Sequence, residues 1–177
     1  MDISNAIKIE GQGTTIGDLF WLAYYAARHK IIVELGSWLG RSTRALADNC
    51  DGIVYAIDDW YGPRNQDVTE AKRETCFEEF KRNMAGTKAI VKPMRFKHEA
   101  LRDWKYEAPD MVFIDGAHDY ESVKRDLSFW LAHAAPGALL SGHDGNYLTV
   151  AQAVYELLPN AEIAPGTSIW SATKGLT

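Results

Sequence analysis

The chain alternates short apolar runs with stretches of helical periodicity. Five runs rich in apolar residues predict strands at 31–35, 53–57, 89–96, 111–114 and 138–141. Apolar residues that recur every three or four positions predict helices at 16–28, 42–49, 69–84, 120–133 and 148–158. Because strands and helices alternate, the pattern favours a mostly parallel sheet with helices on both faces.

Three segments carry further positional information. The run MVFI at 111–114 is apolar without interruption, as in a central strand of a parallel sheet. Pro93 lies in the third run and predicts an edge strand or a strand end, because proline donates no N–H to a sheet. In the C-terminal segment AEIAPGTSIWSA, Pro165 and Gly166 separate two short stretches, which predicts a hairpin.

The first helix carries an apolar stripe. Its members are Ile16, Leu19, Phe20, Ala23 and Ala27, which share one side of a helix. We expect this side to face the core.

The segment VELGSWLGRST, which follows the first strand, has two glycines four residues apart. Gly36 and Gly40 would allow a tight turn and the close approach of a ligand to the backbone. A dinucleotide fingerprint has a glycine where this chain has the bulky Trp38, and the lysine of a nucleotide P-loop is replaced by Arg41. The turn therefore disfavours a diphosphate, and Glu34 beside it would attract an amino group.

The second strand ends in an acid about twenty residues later. A carboxylate at this place, Asp58, can accept hydrogen bonds from the two hydroxyls of a ribose. Together with the glycine turn, Asp58 predicts a site for a nucleoside without a phosphate cradle.

Acids and histidines follow the fourth and fifth strands. They are Asp115, His118 and Asp119 after the fourth strand, and His143 and Asp144 after the fifth. Carboxyl ends of neighbouring parallel strands meet at one edge of a sheet, where ligands bind. Oxygen and imidazole groups gathered there can hold a divalent cation, and a histidine can act as a base near neutral pH.

Structural roles for the same residues stay open. His118 is alternatively a residue that caps the following helix, and Asp119 is its N-cap with Ser122 nearby.

The composition narrows the choice of partners and compartment. The 177 residues carry a formal charge of −5 without a basic block, which argues against a nucleic acid as the main partner. The chain has no apolar run long enough for a membrane span, and its N-terminus lacks the pattern of a signal peptide. Cys50 and Cys76 have neither metal-site spacing nor a disulfide framework, so we expect a cytoplasmic protein.

Four strings resemble a known family. They are VELGSWLGRST, VYAIDDW, DMVFIDGAHDYESVKRDL and APGALLSGHD. They look like the class I S-adenosylmethionine-dependent methyltransferases. More narrowly, they are similar to the small-molecule O-methyltransferase-like branch related to cephalosporin hydroxylase accessory proteins (the methyltransferase-24-like group). They are more distantly similar to catechol O-methyltransferase.

The resemblance implies a fold and a cofactor. The fold is α/β, a Rossmann-like three-layer sandwich whose seven-stranded, mostly parallel sheet has the order 3-2-1-4-5-7-6, with strand 7 antiparallel. One domain, 1–177, would bind S-adenosylmethionine and carry a short N-terminal arm, 1–15.

The resemblance also implies which residues contact the cofactor. Those expected around its methionine end are Glu34, Gly36, Ser37 and Gly40, and Asp115 would border the cofactor as well. Asp58 would bind the ribose, with Trp60 beside the ribose or the adenine. His98 or Glu99 would contact the adenine.

The resemblance further implies a metal arrangement. In metal-using relatives, a carboxylate follows strand four, and an acid and a second oxygen ligand follow strand five. By position, Asp115 and Asp144 match this set, and His143 is the third metal candidate. His143 departs from it, because a hard cation prefers oxygen there, so Mg²⁺, Mn²⁺ and the absence of an ion all stay open. Asp115, His118 and His143 are the candidate catalytic residues, and His118 is favoured over His143 as the base.

Three functions remain after these observations. The first is methyl transfer to a hydroxyl of a small molecule such as a sugar, a phenol or a secondary metabolite. In this case the protein could form homo-oligomers. The second is a binding module for S-adenosylmethionine or S-adenosylhomocysteine, or a subunit that serves a partner enzyme. The third, a nicotinamide-dependent oxidoreductase, is disfavoured by Trp38.

Overall fold

The computed structural model describes residues 1–11, 13–61, 70–95 and 104–175. A 3-10 helix, Ala6–Lys8, comes first. The α-helices are α1 (Ile16–Ala26), α2 (Arg41–Asn49), α3 (Glu70–Asn83), α4 (Tyr120–His133) and α5 (Leu148–Leu157). The strands are β1 (Ile31–Leu35), β2 (Ile53–Asp58), β3 (Ile90–Arg95), β4 (Met111–Ile114), β5 (Leu139–Gly142), β6 (Glu162–Ile163) and β7 (Trp170–Thr173).

The strands form one sheet in the order β3-β2-β1-β4-β5-β7-β6. The strands β1 to β5 pair in parallel, and β7 runs antiparallel to both β5 and β6. This confirms the predicted fold, strand order and antiparallel seventh strand. The hairpin predicted near the C-terminus corresponds to β6 and β7, and Pro93 lies in an edge strand as expected.

Alternate residues of the central strands point to two different cores. Val33, Val112 and Leu140 pack with α4 and α5 on one face of the sheet. Ile32 and Phe113 pack with α1 and α2 on the other face. The sheet is thus the middle of three layers, and the carboxyl ends of its parallel strands meet at one edge.

The predicted stripe of α1 is partly wrong. Leu19 and Ala23 are buried as expected, but Ile16 and Phe20 are 58% and 46% exposed, and Ala27 is also exposed. The buried side is rotated toward Asp18, which is completely buried and hydrogen-bonded to distant segments. The hydrogen bonds of Asp18 therefore favour the side of α1 that faces inward.

Within the described residues, no helix combines the length and apolar character that crossing a lipid bilayer requires.

Candidate functional site

The turn after β1 needs its two glycines for close packing within the protein. Gly36 has φ of +90°, and a Cβ atom there would lie 1.9 Å from the carbonyl oxygen of Asp115, which follows β4. Gly40, the N-cap of α2, has φ of +89°, and its Cβ would lie 2.5 Å from the Cε of Met84. The sequence suggested that these glycines make room for a ligand. The structure adds that they make room for neighbouring parts of the chain.

Glu34 lies beneath this turn and is completely buried. Its Oε2 accepts hydrogen bonds from the hydroxyls of Ser37, at 2.7 Å, and of Thr43. Burial raises the pKa of Glu34 to about 7 because the charged carboxylate is poorly solvated there. Its Oε1 has no hydrogen-bond partner among the described residues. An N–H donor would complete the hydrogen bonding of this buried oxygen, and the amino group expected from the sequence stays a prediction.

The carboxylate of Asp58 joins two loops. One oxygen accepts from the backbone N–H of Trp38 at 2.8 Å, and the other accepts from that of Trp60 at 2.6 Å. Burial raises the pKa of Asp58, and these two hydrogen bonds oppose that effect. Each carboxylate oxygen has a second lone pair, so the group can still accept from ribose hydroxyls. Its ribose role stays a prediction.

Trp60 packs in the core. Its indole is completely buried against Phe77 and Phe80, and its Nε1 donates to the carbonyl of Trp38 at 2.8 Å. Trp38 and Trp60 both have positive φ, 39° and 55°, a strained conformation for residues with a side chain. Trp60 therefore supports the turn after β1 through its hydrogen bond to Trp38, and its contact with ribose or adenine stays a prediction. His98 and Glu99 lie outside the described residues.

Asp115, His118 and Asp144 come together at the ends of β4 and β5. Each offers one ligand atom, and these atoms lie within 4.8 Å of one another. The Nε2 of His118 is 2.7 Å from the Oδ2 of Asp144, and the imidazole stacks on the ring of Tyr147. Asp144 has φ of 57°, a strained backbone position of the kind that is frequent at functional sites.

The charges of this cluster depend on one another. Burial raises the pKa of Asp115 to about 6. The hydrogen bond that the His118 imidazole donates to Asp144 raises the pKa of His118. Burial acts to raise the pKa of Asp144 too, but hydrogen bonds from His118 and His143 outweigh it and hold this pKa below its ordinary value. The cluster thus combines an ionised acid, Asp144, with an exposed base whose side chain is 53% accessible.

His143 is buried between carboxylates. Its Nε2 lies 3.4 Å from the Oδ2 of Asp18, and its Nδ1 lies 3.2 Å from the Oδ1 of Asp144 and 3.9 Å from the Oδ1 of Asp115. Burial alone would lower the pKa of His143, but Asp144 and Asp18 raise it to about 10. A histidine protonated at both nitrogens has no lone pair for a metal. The predicted metal set included His143, whereas the structure gathers His118 with the two acids, and both metal roles stay predictions.

Two contacts around the cluster bear on the sequence analysis. Asp119 caps α4 by accepting from the backbone N–H of Ser122 at 3.0 Å, the structural role that had been left open. The contact of Asp18 with His143 was missed. The spacing of Thr15 and Asp18 signals a helix start, but no local pattern connects Asp18 to a residue 125 positions away.

A small cleft opens beside the cluster. Asp115, His118 and His143 form its polar wall, and its apolar wall includes Val123, Val150 and Trp170. The cleft therefore offers apolar contact next to a carboxyl group and two imidazoles.

Solved structures of methyltransferases share this fold. An O-methyltransferase of Thermotoga maritima matches 98% of this chain and 71% of its own chain, with a TM-score of 0.71 and 14% identity. An O-methyltransferase of Streptomyces achromogenes involved in tomaymycin synthesis, solved with S-adenosylmethionine, matches 98% and 88%, with a TM-score of 0.67 and 16% identity. A tRNA (m1A58) methyltransferase of Aquifex aeolicus matches 91% and 60%, with a TM-score of 0.63 and 14% identity. At such low identities, these likenesses concern the fold alone.

A curated relative and a family model match the sequence itself. The uncharacterized protein y4gI of Sinorhizobium fredii is 29% identical over 133 residues, which is 70% of this chain but 14% of the length of y4gI. The family model described as methyltransferase domain matches residues 33–145, from within β1 to just beyond β5. These residues include both the glycine turn and the acid–histidine cluster. The chain therefore belongs to the methyltransferase domain family, as the four sequence strings predicted.

Proposed function

We propose that residues 1–177 form one domain that transfers a methyl group from S-adenosylmethionine to a hydroxyl group of a small molecule. The observation that carries the proposal is the direct contact between the turn after β1 and the turn after β4. Because Gly36 packs against the backbone of Asp115, a cofactor on the first turn lies next to the cluster of Asp115, His118 and Asp144.

The cofactor would lie across the ends of β1 and β2. Glu34, Gly36, Ser37 and Gly40 would surround its methionine end, where the unpaired Oε1 of Glu34 suits an ammonium group. Asp58 would accept hydrogen bonds from the ribose. These assignments follow the family resemblance, and the buried oxygen of Glu34 is the structural feature that supports them.

His118 is the best-placed base. When bound, S-adenosylmethionine supplies a methyl group that its sulfonium already activates, so the protein must align the acceptor and remove its proton. The Nε2 of His118 donates a hydrogen bond to Asp144. The Nδ1 is therefore left to take the proton of the acceptor hydroxyl. Asp144 would stabilise the resulting imidazolium.

The same three residues also fit a divalent cation. Two carboxylates and one imidazole suit Mn²⁺ better than Mg²⁺, which prefers oxygen ligands. A bound cation would lower the pKa of the acceptor hydroxyl. Asp115, His118 and Asp144 would hold it, and His118 would then serve as a ligand instead of the base.

A small acceptor agrees with the lining of the cleft. Apolar side chains next to Asp115 and His118 suit a small hydroxylated molecule. The net charge of −5 does not favour the phosphate backbone of a nucleic acid.

Two measurements test this function. Calorimetric titration should show binding of S-adenosylmethionine and not of NAD, and binding of neither would contradict the cofactor assignment. Methyl transfer to a panel of hydroxylated compounds, run with and without a chelator, separates the roles of His118. Loss of activity with the chelator would support His118 as a metal ligand, and full activity with the chelator would support His118 as the base.

The variant Asp115→Asn should keep its affinity for S-adenosylmethionine and lose turnover.

A binding-only subunit is the second candidate. The side chain of His118 is 53% exposed, so a partner or another part of a longer protein would be needed to close the cleft over the acceptor. Binding of S-adenosylmethionine without transfer to any member of the panel would favour this candidate. Gain of transfer after a partner is added would identify the chain as a catalytic subunit.

A further inference from the structure

Four side chains form a continuous chain from the interior to the surface. The Oδ2 of Asp18 lies 3.4 Å from the Nε2 of His143, whose Nδ1 lies 3.2 Å from the Oδ1 of Asp144. The Oδ2 of Asp144 then lies 2.7 Å from the Nε2 of His118. Acid and imidazole alternate along this Asp–His–Asp–His chain, so each member faces a group of complementary charge.

The buried end of the chain is held from several directions. The Oδ2 of Asp18 accepts from the backbone N–H and the hydroxyl of Thr15, both at 2.7 Å. The Oδ1 of Asp18 accepts from the backbone N–H of Ser168, in the loop between β6 and β7, at 3.2 Å. The orientation of this carboxylate is therefore fixed by the segments before α1 and before β7.

Helix capping alone does not explain why this carboxylate is buried. Asp119 caps α4 through one hydrogen bond while it remains exposed. Asp18 is completely buried, and burying a carboxylate is unfavourable unless strong partners compensate for lost hydration. Its cationic partner among the described residues is His143.

We infer that Asp18 is a positioning residue of the methyl-transfer site. It orients the ring of His143, which fixes the carboxylate of Asp144 and thereby the imidazole of His118. The inference rests on the proposed function insofar as His118 is the group that meets the acceptor or a cation. Groups that orient such a residue through hydrogen bonds commonly affect activity or metal affinity by about 10- to 100-fold.

Ring ¹⁵N NMR spectra of the histidines test the chain without cofactor or acceptor. Asp18→Ala removes the carboxylate, and Asp18→Asn removes only its charge. Thr15→Val is a graded comparison, because it removes a capping hydroxyl that is also one of the hydrogen bonds holding the Asp18 carboxylate, and it leaves the carboxylate itself in place. The signals of His118 and His143 are assigned with His118→Gln and His143→Gln, and melting temperatures show how much of each effect is loss of helix capping.

The expected result is a shift of both ring signals in the two Asp18 variants and a smaller shift in Thr15→Val, which keeps the carboxylate. If the ¹⁵N signal of His143 shifts while that of His118 is unchanged, the Asp–His–Asp–His series does not connect Asp18 to His118, and the inference is wrong. Equal shifts in Thr15→Val would assign Asp18 to capping alone. These outcomes do not depend on whether methyl transfer is ever observed, so they are separate from the test of the proposed function.

Kinetics supply a second readout once an acceptor is known. Both Asp18 variants should lower kcat about tenfold or more while the KM for S-adenosylmethionine stays within about twofold. Thr15→Val should leave both constants within about twofold. An unchanged kcat in Asp18→Ala would overturn the positioning role.

Discussion

The two halves of the site are built in different ways. At the ends of β1 and β2, the carboxylates of Glu34 and Asp58 are engaged by hydroxyls and backbone N–H groups of the protein. At the ends of β4 and β5, the side chains of His118 and Asp144 pair with each other and reach the surface. In the proposed site, the first half would be a fixed frame for the cofactor, and the second would keep the groups that meet the acceptor accessible.

The comparison explains why the halves should respond differently to substitution. A change in the frame should alter folding and cofactor affinity together. A change in the accessible cluster should alter turnover while the fold and the cofactor affinity stay intact. Four predictions follow this division, from the largest expected effect to the smallest.

Gly36→Ala should have the largest effect, because it acts where the halves touch. A Cβ there would lie 1.9 Å from a backbone oxygen, so the turn must move, and we expect a loss of at least about 4 kcal/mol in the free energy of unfolding. Gly86→Ala is the control. Gly86 also has positive φ but has open space around it, so about 1–2 kcal/mol is expected. Equal losses in urea unfolding would show that the halves do not depend on this contact.

His118→Gln should lower kcat by about 10²- to 10⁴-fold, the range usually contributed by a general base. Calorimetry should give an unchanged affinity for S-adenosylmethionine, because His118 lies in the accessible half. His133→Gln, at the end of α4, is the control and should change neither quantity. A parallel loss of cofactor affinity in His118→Gln would remove the distinction between the halves.

Asp58→Ala should weaken cofactor binding by about 1–3 kcal/mol and also reduce stability, because it leaves two backbone N–H groups without their acceptor. Calorimetry and thermal unfolding measure the two effects. Asp51→Ala removes an acid that is exposed and paired with Lys88, and it should leave both quantities unchanged. An unchanged affinity in Asp58→Ala would remove this residue from the cofactor site.

Glu34→Gln should change the dependence of stability on pH. The pKa of Glu34 is about 7 in the folded protein, above the ordinary value of 4.5, so the folded state binds more protons between these values. Its contribution is fully present below pH 4.5 and is lost as the pH rises through 7. Relative to the wild type, the variant should therefore gain about 2–3 kcal/mol between pH 5 and pH 8 in denaturant unfolding. A constant difference across this range would contradict the raised pKa.

The fold could be predicted from the sequence because its signals are local and repeated. Short stretches of sequence were enough to identify the apolar run of β4, the glycines after β1 and Pro93 in β3. The family resemblance supplied the strand order. The stripe of α1 was misjudged, since Phe20 lies outside and Asp18 inside. Apolar periodicity does not register a buried acid whose partner comes from another part of the chain.

The sequence could predict which strand ends carry the residues of the candidate site. It could not predict most of the contacts that these residues make. Asp115, His118 and Asp144 were expected near one another because each follows a neighbouring parallel strand. His143 also lies against both acids, and the sequence could not show that its other ring nitrogen faces Asp18, which is 125 positions away. Trp60 is another case, because its indole turns into the core instead of outward.

The borders of the sheet constrain how copies of this chain could associate. β3 presents Lys92, Pro93 and Arg95 along one border, where charge and a missing N–H oppose pairing with another strand. At the opposite border, β6 has two residues and offers little backbone to a partner. A continuous sheet across two molecules is thus disfavoured, and a homo-oligomer of this protein should assemble through its helical layers.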